Sequence, residues 1–331
     1  MSEKHSNISI FVPHIGCPNK CSFCNQRYIT GVHKAPLQED VINAVKEAKR
    51  SPKYNPLTTE IAFFGGSFTA INRNYMITLL EAANEFLKSG EAGGIRISTR
   101  PDAITPEILE ILKQYGVTAI ELGAQSLIDK VLKLNNRGHS VEEVYKASSL
   151  IKEYGFELGL QIMTGLYADN DTNALKTAKR VIEIKPDTVR IYPTIVLKDT
   201  DLAALYEDKK YTPQTLEEAI NLASRLYLMF RSEGIKVIRL GLHTIEENAF
   251  LAGPWHPAFS ELCQSRIMLE KALEILKDKG RYIIYVGKSD LSKMIGQKRS
   301  NISLLQSKGY FCKVKVKENL SDLDLIIERD V

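Results

Sequence analysis

Apolar segments of strand length alternate with segments of helical periodicity along most of the chain, and that alternation constrains the fold more than any other feature. Residues 8–12 form a β-rich run ending at Pro13, and residues 37–50 place Leu37, Val41, Ala44, Val45 and Ala48 at helical spacing. The spacing then predicts strands over 60–64, 94–98, 117–122, 156–162, 188–192 and 236–240. Helices are predicted between them over 75–88, 105–115, 140–154, 172–184 and 216–232, with Ser140 and Glu143 forming a capping pattern. Strands separated by helices call for a parallel sheet with right-handed crossovers. At least six such units in roughly 240 residues predict an α/β fold of the full or partial (β/α)6 barrel type.

Glycine and polar residues repeatedly follow the strands, as in Gly65-Gly66-Ser67, Ser98-Thr99-Arg100, Gly123-Ala124-Gln125 and Gly165. In a parallel barrel those positions line the C-terminal rim, where sites are built. The run Ala252-Gly253-Pro254-Trp255-His256-Pro257 breaks the alternation and predicts two domains, a barrel over 1–250 and a small α/β unit over 251–331. In the second unit a helix is expected over 260–279 and strands over 281–286, 311–317 and 324–328. Two short helices, 289–294 and 300–307, flank Gly296-Gln297-Lys298-Arg299. A composition with 44 % hydrophobic and 25 % charged residues excludes disordered, collagen-like and disulfide-dense classes. No apolar run reaches signal-peptide or bilayer-spanning length, so a cytoplasmic monomer without membrane contact is expected.

Three of the five cysteines fall together in Cys17-Pro18-Asn19-Lys20-Cys21-Ser22-Phe23-Cys24. In a reducing compartment such clustering means metal or redox chemistry more often than disulfides. Zinc would need a fourth ligand, for which His14 and His33 are near in sequence. Three thiolates on one loop equally suit a [4Fe–4S] cluster with one iron left open, and buried free thiols are the third reading.

The CxxxCxxC spacing after the first strand, with an aromatic residue before the third cysteine, resembles the signature of the radical S-adenosylmethionine superfamily. The resemblance implies that Cys17, Cys21 and Cys24 ligate a [4Fe–4S] cluster whose open iron chelates S-adenosylmethionine, with Phe23 against the adenine. It implies reductive cleavage to a 5′-deoxyadenosyl radical, driven by an external donor such as flavodoxin or ferredoxin. Gly65, Gly66 and Ser67 stand where the family binds the methionine amino group, and Ser98 and Arg100 where it contacts ribose and carboxylate. Related enzymes often carry Glu or Asp in the place of Ser98. The later motifs STRPD, GAQS, NRGH, QIMTGL and RIYPTIVLKDTDL are similar to the radical domain of the Elongator catalytic subunit, a tRNA wobble-uridine modifier. They are more distantly similar to oxygen-independent coproporphyrinogen oxidase. By that resemblance Gln125 and Arg137 help hold S-adenosylmethionine, and the substrate is RNA, either tRNA or ribosomal RNA. The residues after the barrel are too few for the acetyltransferase-like domain of Elongator subunits, so carboxymethylation does not carry over.

The net charge of +4 lies wholly from Ser260 onward, where 14 basic residues face 10 acidic ones. Residues 281–317 hold nine basic residues and one acidic, Asp290. Their strand, helix, loop, helix, strand order resembles the minimal KH motif, in which a Gly-x-x-Gly loop clamps a nucleic-acid backbone. Gly296 matches the first glycine and Arg299 replaces the second. Lys298 and Arg299, with Lys288 and Lys293 nearby, are candidate phosphate contacts. A solvated basic face on a small cap is the alternative. A porphyrinogen-type enzyme would need no basic tail, and a non-catalytic iron–sulfur or zinc RNA-binding protein would need no rim motifs. Cys263 and Cys312 are expected in packing roles. Trp255 and His256 are expected either over the barrel mouth or in a turn or core role, Tyr192 and Lys198 near the site, and Asp169-Asn170-Asp171 in a helix-start loop.

Overall fold

The computed structural model describes residues 5–12, 17, 20–26, 28, 34–242 and 245–330. The β-rich segments of the first 250 residues fold as β1 (Ser6–Val12), β2 (Thr59–Gly65), β3 (Gly94–Thr99), β4 (Val117–Gln125), β5 (Glu157–Thr164), β6 (Thr188–Pro193), a two-residue β7 (Val196–Leu197) and β8 (Lys236–Leu240). All but β7 lie in chain order in one seven-stranded sheet, and every neighbouring pair is parallel. β1 and β8 are its edges and do not pair with each other. The sheet is therefore an open, partial barrel, as expected.

Helices α1 (Gln38–Lys49), α2 (Arg73–Lys88), α3 (Pro106–Gln114), α4 (Asp129–Leu134), α5 (Val141–Glu153), α6 (Asp171–Ile184), α7 (Asp201–Glu207) and α8 (Leu216–Ser232) make the crossovers. Ser140 with Glu143, and Thr215 with Glu218, form reciprocal capping boxes that satisfy exposed N–H groups at the starts of α5 and α8. Asn170 caps α6, so the Asp169–Asp171 stretch is indeed a helix start. α4, α7 and the antiparallel pair of β7 with β9 (Phe250–Ala252) are too short to leave a periodic signature.

Alternate positions of each strand separate two environments. Ile8, Ile10, Val12, Ile61, Phe63, Ile95 and Ile97 face the helices and pack with Val41, Val45, Leu79 and Leu109. The opposite face lines the inside of the curl and is polar. Arg96 pairs with Glu60 at 2.6 Å and Glu157 at 3.0 Å, and Arg190 grips both oxygens of Glu121 at 2.6 and 2.7 Å. Closed barrels of this class fill the same space with branched apolar side chains.

α9 (Phe259–Ile275) links two cores. Phe259 and Cys263 belong to the barrel's core, whereas Ile267, Met268 and Leu269 belong to a second one with Ile284, Val286 and Leu305. The helix stops at Ile275, short of the expected 279, because Leu276 turns extended ahead of the next strand. Then come β10 (Gly280–Val286), α10 (Leu291–Ile295), α11 (Ser300–Ser307), β11 (Tyr310–Val316) and β12 (Leu325–Arg329). The sheet order is β11-β10-β12, with β10 parallel to β11 and antiparallel to β12. Cys263 is fully buried, and Cys312 packs on the inner face of this sheet; burial pushes their thiols up to about 12 and about 11. Among the described residues no helix is long and apolar enough to cross a membrane.

Candidate active site

The loop after β1 carries the three cysteines and is tied to the barrel at several points. Ser22 donates its N–H to the Asn135 carbonyl (3.1 Å) and its hydroxyl to the Asn135 side chain (2.9 Å), while its carbonyl accepts from Leu202 N–H (2.8 Å). Cys24 N–H turns back to the Cys21 carbonyl, and Gln26 Nε2 donates to the Gly65 carbonyl at 2.5 Å. His14 and His33, like Pro18 and Asn19, lie outside the described residues.

Around this loop stand the ends of the strands. Gly66 N–H donates to the Val12 carbonyl at 2.8 Å, which locks the β2 turn onto the end of β1. A Cβ on Gly65 would meet that same carbonyl oxygen at 2.9 Å, at φ +108°, so the turn requires glycine. The Ser67 backbone N–H reaches the Cys17 sulfur. Its hydroxyl lies 2.9 Å from that of Thr99 and accepts from Arg100 N–H at 3.3 Å. Arg100 is buried, forked onto Asp102 at 2.8 and 2.9 Å, and its charge acts on Cys17 and Cys21.

Arg137 reaches a second of the thiols. One terminal nitrogen donates to Cys21 Sγ at 3.0 Å and the other to the Gly123 carbonyl at 2.5 Å, while its buried Nε has no partner among the described residues. Gly123 leaves room for this: a Cβ there would lie 3.3 Å from Arg137 and 3.0 Å from Gln125. A bulge between Gly123 and Gln125 turns Gln125 into the left-handed region at φ 62°, with its buried Oε1 likewise unpartnered. Phe23 packs beside Tyr167 and Tyr211. It faces a cleft of about 210 Å³ lined also by Cys24, Gly65, Ser98, Gln125 and Tyr192. Tyr192 thus joins the site, whereas Lys198 is exposed on the connection beyond β7. Trp255 packs with Ile195, Ile245 and Phe250 at the same end of the barrel, and His256 accepts a turn bond from Ala258 N–H.

The surroundings of the thiols disfavour loss of their protons. Burial pushes Cys24 up to about 12, with Cys21 and Cys17 adding to the effect, and burial raises Cys17 as well. Three thiolates so placed repel one another unless a metal centre neutralises them. Among the described residues no group of three or more His, Cys, Asp or Glu side chains is placed to hold a single metal ion. Three thiolates on one loop suit a [4Fe–4S] cluster, which takes each thiolate at a different iron and leaves one iron open.

A family model described as the radical SAM superfamily matches residues 11–181, more than half of the chain. The chain belongs to the radical SAM superfamily. A second model, the radical SAM C-terminal domain, matches residues 186–269. It is thus an enzyme of the radical SAM type, a family whose cofactors are a [4Fe–4S] cluster and S-adenosylmethionine. Among its relatives is an uncharacterized protein of Methanocaldococcus jannaschii, 28 % identical over 275 residues, which are 82 % of this chain and 79 % of that one. Another is a tRNA uridine(34) acetyltransferase of Dehalococcoides mccartyi, 26 % identical over 62 % of this chain and 52 % of that enzyme. This radical SAM chain spans about half the length of that acetyltransferase and less of its archaeal counterparts. The archaeal Elp3 of Methanocaldococcus infernus, lacking its N-terminal 46 residues, shares the fold at a TM-score of 0.66 and 22 % identity. That match covers 81 % of this chain and 63 % of the other.

Several groups in this radical SAM site escape sequence reasoning. Asn135, fully buried, anchors the cysteine loop. Ser98 faces Glu121 across the strand pair and is bridged to it by Gln161 Nε2, at 3.2 and 3.0 Å. Arg190 already neutralises Glu121, so Glu121 is not a free carboxylate beside Ser98.

On the C-terminal unit, Lys288, Lys298 and Arg299 are exposed. Gly296 has φ +77°, and a Cβ there would strike Ser300 and the Asn301 backbone. Lys298 and Arg299 both adopt left-handed backbone, presenting a tight basic knuckle. Lys293 instead pairs with the buried Asp290 at 2.7 Å and with Asp322 at 3.1 Å.

Proposed function

We propose that this radical SAM enzyme modifies RNA, with Cys17, Cys21 and Cys24 holding the [4Fe–4S] cluster. The observation that carries the site is the convergence of the three thiols with Arg137, Gln125 and the Gly65–Ser67 turn at one end of the barrel. When bound, the cluster and S-adenosylmethionine supply a one-electron cleavage that yields a 5′-deoxyadenosyl radical. The protein binds and aims. Arg137 donates to the cysteine sulfur, where such bonds tune a cluster's potential. The unpartnered Gln125 Oε1 is an acceptor for an amino or hydroxyl donor of the cofactor. Gly65, Gly66 and Ser67 admit close approach to the backbone, and Ser98 and Arg100 complete the polar side. Phe23, Phe11, Phe64 and Met163 keep water out. Electrons come from an external donor such as flavodoxin or ferredoxin.

The RNA assignment draws on relatives named as tRNA uridine(34) acetyltransferases and on the knuckle of Lys298 and Arg299 with Lys288 beside it. Lys293 supports that surface from below through its aspartates. We divide the labour accordingly, with the chemistry in 1–250 and RNA capture in 251–331. Anaerobic reconstitution should load about four iron and four sulfide per chain, and reductant should then release 5′-deoxyadenosine. Normal cluster content in all three of Cys17→Ala, Cys21→Ala and Cys24→Ala would sink the assignment. Mass spectrometry of RNA nucleosides from a deletion strain and its parent should show one modified nucleoside missing; identical profiles argue against an RNA substrate.

A further inference from the structure

The helices of the C-terminal unit cover one face of its sheet, where Tyr282, Ile284, Tyr310, Cys312 and Ile327 pack. Among the described residues no helix packs on the other face, where Ile283 and Tyr285 are half-buried. It carries Arg281, Ile283 and Tyr285 on β10, Phe311, Lys313 and Lys315 on β11, and Ile326 and Glu328 on β12, in paired registers. Phe311 is 52 % exposed and Ile326 36 %, large apolar groups on a face otherwise rich in cations. Lys317, just beyond β11, holds its ammonium 5.4 Å from the centre of the Tyr285 ring. Four cations share this face with two anions: Asp330, which pairs with Lys313 at 2.9 Å, and Glu328, which bonds the Tyr285 hydroxyl.

Exposed aromatic rings on a sheet, interleaved with basic side chains, are the elements of a base-stacking platform. We propose that this outer sheet face binds single-stranded RNA, with bases stacked on Tyr285 and Phe311 and phosphates met by Arg281, Lys315 and Lys317. The proposal rests on RNA being the substrate class. Tyr285 and Phe311 lie four residues apart in register, about 13 Å along the strands, with Ile283 as an apolar step between them. Lysines on an edge strand also prevent unwanted sheet pairing, but that role calls for no exposed phenylalanine. The centres of protein–protein interfaces are depleted in lysine, so a polyanion fits this face better than a protein. The face lies on the far side of the sheet from the helices, so it is a second surface and distinct from the Lys298–Arg299 knuckle.

The test uses the full chain and fluorescence anisotropy with a short labelled oligouridine and an RNA duplex of the same length. Tyr285→Ala and Phe311→Ala should each weaken oligouridine binding by about fivefold to a hundredfold and leave duplex binding unchanged. Lys315→Gln and Lys317→Gln should each reduce the slope of log affinity against log salt by about 0.7. Photocrosslinking of the unaltered chain to a 4-thiouridine oligomer should label peptides from β10 and β11, which needs no substitution. Unchanged oligouridine binding by both aromatic variants overturns the platform. So does a change confined to self-association in sedimentation, which would mark the face as a protein contact. If the unaltered chain binds and only Lys298→Glu with Arg299→Glu loses binding, RNA remains the substrate class and the platform falls. If the unaltered chain binds neither oligouridine nor bulk tRNA at low salt, both fail together.

Discussion

A methyl group on Gly65 would come within 2.9 Å of the Val12 carbonyl oxygen, at a backbone φ that side-chain-bearing residues rarely adopt. That carbonyl also accepts from Gly66, so the loop cannot yield without loosening the end of β1, from which the cysteine loop departs. Gly65→Ala should cost about 1–3 kcal/mol in chemical denaturation and weaken S-adenosylmethionine binding in calorimetry. His139 offers a test by pH. It is buried, and burial first, then the Arg137 charge, pull it down to about 4. Its folded value lies below the 6.5 of a free histidine, so folding favours the neutral ring. Stability should be full above pH 6.5 and fall by up to about 3 kcal/mol as pH drops towards 4. Urea midpoints across that range should decline less for His139→Gln; equal slopes would show that other groups carry the acid sensitivity.

Strands and helices were legible because their periods differ and because Thr, Ser and Asn caps announce the helix starts. What the strands hold between them was not. Glu121, Arg96 and Arg190 come from β4, β3 and β6, and only the pairing and curl of the open sheet bring them to 2.6–3.5 Å. The one readable sign is a charged residue in the middle of an otherwise apolar strand, as Arg190 is in Thr-Val-Arg-Ile-Tyr-Pro. Lys293 misleads in the opposite sense. Its charge reads as a phosphate contact, yet Asp290 one helical turn back and Asp322 before β12 absorb it. The cysteine motif and the glycine turn were readable because they are local, whereas the bulge that aims Gln125 depends on β5 as a neighbour. Glu121→Ala would leave the Arg190 guanidinium buried without its carboxylate and should cost about 3–5 kcal/mol by urea unfolding. Glu142→Ala, which breaks an exposed pair with Lys146 on α5, should leave the midpoint where it is.

At the scale of the whole molecule, α9 makes the two units interdependent. Removing residues 281–331 strips Ile267, Met268 and Leu269 of Ile284, Val286 and Leu305, so the truncated chain should aggregate. Lys298→Glu with Arg299→Glu, both exposed, should instead keep its melting temperature within about 2 °C. That variant should lose tRNA affinity with a salt slope shallower by about 2, read by scanning calorimetry and filter binding. The size of the cleft has its own consequence for such a substrate. That cleft is bounded by Phe11 of β1 and by Leu242 and Ile245 beyond β8, and Tyr28 of the cysteine loop packs in one cluster with the latter two. A duplex is far too wide for about 210 Å³. One nucleotide swung out of its stack is the piece of such a substrate that a cleft of this size would take, while its neighbours stay outside. Unstacking costs least where a base is already unpaired, so loop nucleotides would be modified ahead of identical ones in stems, and the fold of the RNA would select the target.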